Sequence, residues 1–188
     1  MTVRSTFIAC ALMIAAAGLP AAAIVQSEPV VRVTEEKGLY AVTAEFGVPQ
    51  SATIVMAVLS DYEAIPRFVP DIKTSRIIER GEGRALVEQH AVAQFMLFSK
   101  RIELLLEIDE APGRIAFKDR SAKSFRSYEG AWQVVEQGGS VAITYTVAAR
   151  PAFDVPGFVL KRLMKRDATR MIANLRREFA ARGAASRQ

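Results

Sequence analysis

His90 is the only histidine in the sequence, so base chemistry at an imidazole would rest on that one residue. Glu88 stands two positions away and shares its face if the segment is a strand, giving a carboxylate–imidazole pair. Gln94 falls on the same face, a pattern that also suits a solvent side. The other acids sit at strand ends and turns, as in Asp109-Glu110 and Glu35-Glu36. Paired carboxylates work as acid and base only when burial separates their pKa values, and nothing in these positions indicates burial. No Gly-rich stretch resembles a phosphate-binding loop. One histidine and one cysteine, Cys10, do not furnish the usual zinc ligand sets. The residue types therefore predict no catalytic residue, no metal and no cofactor.

The aromatic and thioether residues are more informative. Phe95, Phe98, Leu104, Leu106, Phe117, Phe125, Tyr128, Trp132, Tyr145, Phe158 and Met164 fall on strands or beside the last helix. Met96, Phe153 and Met171 belong with them. Each alone reads as ordinary core. Together they supply the apolar walls and few polar tips that a cavity for a greasy ligand needs. Ala91, Ala93, Gly130 and Ala131 are small enough to leave room beside them. His90 and Glu129 are the candidate polar contacts, with Gln89 and Ser127 as further ones. Alternation in these strands does not choose which face points inward.

The elements that must position these residues are legible from periodicity and turns. Val30–Thr34 and Leu39–Phe46 are β-rich and flank a Lys37-Gly38 hairpin turn. Pro49-Gln50-Ser51 opens a helix to about Leu59, and a second short helix over Asp61–Phe68 stops at Pro70. Six strands follow, Thr74–Arg80, Arg84–Phe95, Ser99–Glu110, Arg114–Asp119, Phe125–Glu136 and Ser140–Ala149. Gly81–Gly83, Pro112-Gly113 and Gly138-Gly139 supply antiparallel turns between them. Ile102, Leu104, Leu106 and Ile108 alternate with charged residues, as Val141, Ile143, Tyr145 and Val147 do with small or polar ones. One covered and one wet face follow. A long helix closes the chain, with Asp154 as its expected cap, Pro156 in its first turn and Gly183 as its end. Leu160, Met164, Ala168, Met171, Leu175 and Phe179 form its apolar stripe. A curved antiparallel sheet wrapped around that helix buries the stripe most economically, an α+β architecture.

Two segments carry a resemblance to a known family. Asp61-Tyr62-Glu63-Ala64-Ile65-Pro66-Arg67-Phe68-Val69-Pro70 resembles the helical segment of the START-like (SRPBCC) superfamily, in its polyketide cyclase/dehydrase and coenzyme Q-binding branch. Phe125-Arg126-Ser127-Tyr128-Glu129-Gly130-Ala131-Trp132 resembles the Gly-x-Trp strand of the same branch. The order of elements agrees over about residues 38–180. The resemblance implies a helix-grip fold with a deep cavity between sheet and long helix, used by relatives for lipids, sterols, quinones or polyketides. These are scaffold motifs and imply no reaction. Export and an extra leading strand depart from the quinone-binding members, and export also separates the chain from the ribosome-associated toxins.

The first residues set the compartment. Arg4, an apolar run from Phe7 to Leu19, Pro20 and then Ala21-Ala22-Ala23 read as a secretory signal peptide, residues 1–23, cleaved after Ala23. The run is shorter than the roughly 20 apolar residues needed to span a bilayer. Cys10 leaves with the signal, so disulfides and cysteine nucleophiles are not expected. An Ala- and Arg-rich composition places the export in a bacterial periplasm. Residues 24–37 read as an N-terminal extension with an extra strand, 38–182 as the ligand-binding domain and 183–188 as a disordered tail. The formal charge is +5, and from Gly157 onward nine Lys and Arg face only Asp167 and Glu178. Such a helix suits transient contact with an anionic membrane surface, and an exported protein has no nucleic-acid partner.

The expected function is a periplasmic binding or carrier protein for a hydrophobic molecule. The loop Ala152–Phe158, with Pro151, Pro156 and Gly157, would gate it. The alternative is a cyclase or dehydratase in the same cavity, drawing on His90, Glu88, Tyr128 or Glu129. A third reading is a filled-core interaction module with no cavity.

Overall fold

The structure, a computed structural model, describes residues 28–95 and 98–186, without the side chains of Phe95 and Phe98. The expected signal peptide and its cleavage site, together with Met96, lie outside the described residues. The chain forms β1 (Val30–Glu36), β2 (Leu39–Val48), α1 (Ala52–Leu59), a 3-10 turn (Tyr62–Ala64) and α2 (Ile65–Phe68). Then come β3 (Ile72–Gly81), β4 (Arg84–Phe95), β5 (Phe98–Ala111), β6 (Arg114–Asp119), β7 (Phe125–Gln137), β8 (Ser140–Pro151) and α3 (Gly157–Ala185). The eight strands make one antiparallel sheet in the order β1-β2-β8-β7-β6-β5-β4-β3. Hairpins join each consecutive pair from β3 to β8, and α1 and α2 carry the chain from β2 across to β3. This is the helix-grip architecture: the sheet curves around α3, which spans about 43 Å at 1.5 Å per residue.

Local chemistry explains where the elements start and stop. Lys37 and Gly38 both take positive φ, 49° and 77°, which is the two-residue turn that matches strand twist. The Ser51 hydroxyl accepts the Ile54 amide at 3.4 Å and caps α1. Three expectations at the last helix are corrected. Asp154 does not cap α3; Pro156 holds the N-cap position and no side chain bonds there. Gly183 does not end it, because the helix runs on to Ala185. A Cβ on Gly183 would meet Gln50 Cγ at 3.1 Å, so this glycine admits the segment before α1 rather than terminating a helix. The first residues assigned to the tail are therefore helical.

α3 is graded along its length. Ile172, Leu175 and Phe179 are buried in one core with Val55 and Val58 of α1 and Phe46 and Val48 of β2. Arg182 fixes that end, pairing with Asp61 at 2.6 Å and Glu178 at 2.8 Å. Towards its start the helix is less packed: Leu163, Met164 and Met171 are only half-buried. The open space lies there.

Candidate functional site

Between the sheet and α3 lies a two-lobed cavity. The smaller lobe, about 110 Å³, is walled by α1 and α2 (Val58, Leu59, Ile65, Phe68), by Tyr62, and by Leu106, Phe117 and Trp132 of the sheet. The larger, about 240 Å³, lies under the first half of α3, against Ala91, Ala93, Ile102, Phe125, Phe153, Leu160 and Met164. Val69, Ile72, Tyr128, Tyr145 and Met171 line both and so form a waist. Apart from this waist, apolar groups dominate. Such walls gain nothing from water and hold apolar surface well.

Several expected wall residues come together here. Leu106, Phe117, Tyr128, Trp132 and Tyr145 line the smaller lobe, and Phe125, Tyr128, Tyr145 and Met164 the larger. Aromatic contacts join them: ring centroids are 4.2 Å apart for Trp132–Tyr145, 5.0 Å for Phe125–Tyr128 and 5.9 Å for Phe117–Tyr128. Leu104 is buried in the core without lining either lobe. Phe95 and Phe98 belong to the side chains not described. Phe158 is corrected: it is 78% exposed on the first turn of α3, because that face of the helix turns away from the sheet.

The polar expectations change with strand parity. His90 and Glu129 stand on the outer face. The His90 ring bonds Thr74 Oγ1 at 3.1 Å, its strand neighbour being Glu103, and Glu129 is exposed beside Lys118. Glu88 shares that outer side, and Ser127 is exposed. The inward residue of β4 is Gln89, buried in the smaller lobe, where its Nε2 donates to Ser75 Oγ at 3.1 Å. Ala91 and Ala93 leave space as expected. Gly130 does not, because the Phe117 ring occupies the place its side chain would take, and Ala131 lies on the other strand face.

The tyrosines carry the cavity's remaining polarity. Tyr128 and Tyr145 lie close enough at the waist for their phenol groups to influence each other. Burial pushes the Tyr145 phenol well above the ordinary tyrosine range, and burial also raises Tyr128. Both therefore remain neutral donors at physiological pH. Tyr62 Oη donates to Glu110 Oε1 at 2.6 Å, and Arg80 pairs with the same carboxylate at 3.2 Å. Burial first, and then Glu110, hold the Tyr62 phenol far above its usual range. The Arg80 guanidinium also lies 5.5 Å from the Tyr62 ring centroid. These contacts pin the segment after α1 to the sheet. At the rim of the larger lobe Arg170 pairs with Asp71 and, at 3.3 Å, with Asp167, which Arg166 also contacts at 2.8 Å. Among the described residues no cluster of histidine, cysteine or acids could hold a metal ion.

Sequence reasoning took the Asp61–Pro70 segment for scaffold alone, yet Tyr62, Ile65, Phe68 and Val69 wall the smaller lobe. Their spacing over two short helical turns was the available signal.

A curved sheet gripping one long helix around an apolar, two-lobed cavity defines a START-like ligand-binding domain. The sequence pattern of polyketide cyclase/dehydrase and lipid transport proteins matches residues 40–180, and the chain belongs to that family. No curated protein matches it in sequence. Solved structures share the fold at low identity. A START superfamily protein from Mycobacterium smegmatis is 21% identical, with a TM-score of 0.65 over 75% of this chain and 97% of that one. The ZhuI aromatase/cyclase from Streptomyces sp. R1128 is 16% identical, TM-score 0.64, over 77% and 95%. A STAR-related lipid transfer protein fragment from Xanthomonas axonopodis is 15% identical, TM-score 0.61, over 82% and 99%. Among the described residues no helix is long and apolar enough to cross a membrane.

Proposed function

We propose that this chain is an exported carrier that holds a hydrophobic molecule, such as a lipid or an isoprenoid quinone, in the helix-grip cavity. One observation carries the reading: the cavity is walled by apolar side chains, while His90, Glu88 and Glu129 stand outside. Removing the ligand's apolar surface from water contributes about 25 cal/mol per Å². The lipid transfer relative and the quinone-binding branch resembled by Asp61–Pro70 support a carried rather than a transformed ligand. The leader, residues 1–23, places the carrier in the periplasm after cleavage behind Ala23, away from nucleic acid.

Residues 152–158 and the start of α3 act as the gate. Phe153 and Leu160 line the larger lobe beside that loop. Exposed Phe158, Lys161, Arg162 and Lys165 share one face of the helix just outside it. This face docks on anionic lipid, each nearby cation contributing about 1 kcal/mol and the phenyl ring inserting between headgroups. Phe158→Ser is expected to weaken binding to phosphatidylglycerol vesicles roughly tenfold, from loss of the apolar anchor. Co-sedimentation measures it; unchanged binding would remove Phe158 from the contact.

A cyclase or dehydratase, the activity of the Streptomyces relative, is the second reading. It would have to act through Tyr128 and Tyr145, the buried phenols at the waist. Native mass spectrometry of the chain recovered from its own periplasm, followed by solvent extraction, separates the two. A bound, chemically unaltered lipid or quinone at near-equal stoichiometry is expected. An empty protein that converts an added polyketone would favour the enzyme.

A further inference from the structure

One inward side chain of the smaller lobe is polar and only partly satisfied. Gln89 is 7% exposed and lines that lobe together with Leu106, Ile108 and Phe117. Its carboxamide offers two N–H donors and an oxygen acceptor. The one side-chain bond it makes among the described residues runs from Nε2 to Ser75 Oγ, directly across the β3–β4 pair. Turning the carboxamide over leaves the same count, because a serine hydroxyl donates as well as accepts. Among the described residues no side-chain nitrogen or oxygen is sealed from solvent without a partner. The free half of the Gln89 carboxamide therefore opens onto the lobe it lines.

A ligand that fills the lobe strips water from that free half. Hydrocarbon alone would leave it unpaired, which is costly, whereas a ligand with its own hydrogen-bonding group recovers the bond. The lobes do not suit a charge. Neither is lined by lysine, arginine or histidine, and Asp71 and Asp167 at the rim of the larger one both pair with Arg170. A carboxylate, phosphate or ammonium beside Gln89 would be a buried charge with no counter-ion. A carboxamide both donates and accepts, so a hydroxyl and a carbonyl serve it equally. Position adds a direction. Gln89 lines only the smaller lobe, whereas the gate residues Phe153 and Leu160 line only the larger.

We propose that Gln89 is a specificity-determining contact that holds the neutral polar end of an amphiphile, seated head first in the smaller lobe. The hydrocarbon remainder lies across the waist in the larger lobe. This rests on the carrier reading and adds which ligand is carried and which way round.

The test compares biphenyl, para-phenylphenol and para-phenylbenzoate, which share one skeleton and carry no polar group, a neutral one and a charged one. Dissociation constants are measured by equilibrium dialysis on the purified chain and on the Gln89→Met/Ser75→Ala double variant, whose folding is checked by its thermal transition. The double change removes both partners of the buried bond together, so no polar group is orphaned. The native chain is expected to bind para-phenylphenol about tenfold more tightly than either biphenyl or para-phenylbenzoate. The double variant should lose or reverse the preference for para-phenylphenol over biphenyl. Equal binding of these two by the native chain, a comparison that needs no variant to fold, would overturn the inference and leave the carrier reading standing. A preference that survives in the double variant would overturn the assignment to Gln89. Para-phenylbenzoate bound as tightly as para-phenylphenol would overturn the requirement for a neutral end. If none of the three binds the native chain, the carrier reading fails together with this one.

Discussion

Replacing Gly130 by alanine is expected to lower the stability of the domain by about 3 kcal/mol, although only one methyl group is added. A Cβ at that position would lie 2.2 Å from the Thr146 carbonyl oxygen and 2.6 Å from Phe117 Cζ. Backbone on the neighbouring strand cannot retreat without breaking the β7–β8 register, in which Gly130 faces Val147. Phe117 cannot retreat freely either, because its ring packs on Tyr128 and Tyr145 at the waist. The Gly-x-Trp segment thus has a physical reason: the glycine admits the Phe117 ring, and Trp132 two residues on lines the smaller lobe. For a domain of this size the loss corresponds to a fall in Tm of about 6–12 °C. Thermal unfolding measures it. Gly81→Ala is the control, since a Cβ there meets nothing within 4 Å. If both variants melt together with the native chain, the close approach at Gly130 is not a constraint.

Phe179→Ala is expected to cost more, about 3–5 kcal/mol, or roughly 6–20 °C in Tm. Its side chain is fully buried, in a cluster with Ile172, Leu175, Val55 and Val58, where the surroundings leave no room to collapse. Truncation removes transfer free energy and leaves a void as well. Met164, four turns earlier on the same helix, is half-buried and already borders open space in the larger lobe. Met164→Ala therefore removes fewer packed contacts and is expected to cost clearly less. Urea unfolding of the two variants side by side decides the point. Equal losses would show that α3 is packed evenly along its length and would argue against a gate at its start. The expected gradient, a rigid end at Phe179 and Arg182 and a looser stretch around Leu163 and Met164, is what a helix opening over a cavity requires.

The sequence alone determined which segments are strands and helices, because their signals are local. The turns at Lys37-Gly38, Pro112-Gly113 and Gly138-Gly139, and the alternation over Ile102–Ile108, need no knowledge of distant residues. Arg84–Phe95 and Arg114–Asp119 keep the limits that their flanking turns suggest. The helix-grip order of elements follows from the same local marks, and the family is legible in two short segments.

Which faces meet was decided by the tertiary structure. In β4 the run Glu88-Gln89-His90-Ala91 is polar on both faces, so local alternation cannot choose between Gln89 and His90. The pairing of β4 with β3 and β5 chooses, carrying the inward parity of Ala85 and Val87 on to Gln89, Ala91 and Ala93. In β7 the register shifts between Phe125 and Ser127. That irregularity lets Phe125 and Tyr128, three residues apart, both line the cavity, a spacing that strict alternation forbids. Phe158 is apolar and yet exposed, because it lies across the helix from Leu160, which is buried against Tyr40 of β2. Strand parity, a register shift and the buried side of one helix all arise from contacts between distant segments, whereas turns and periodicities are written within a few residues of one another.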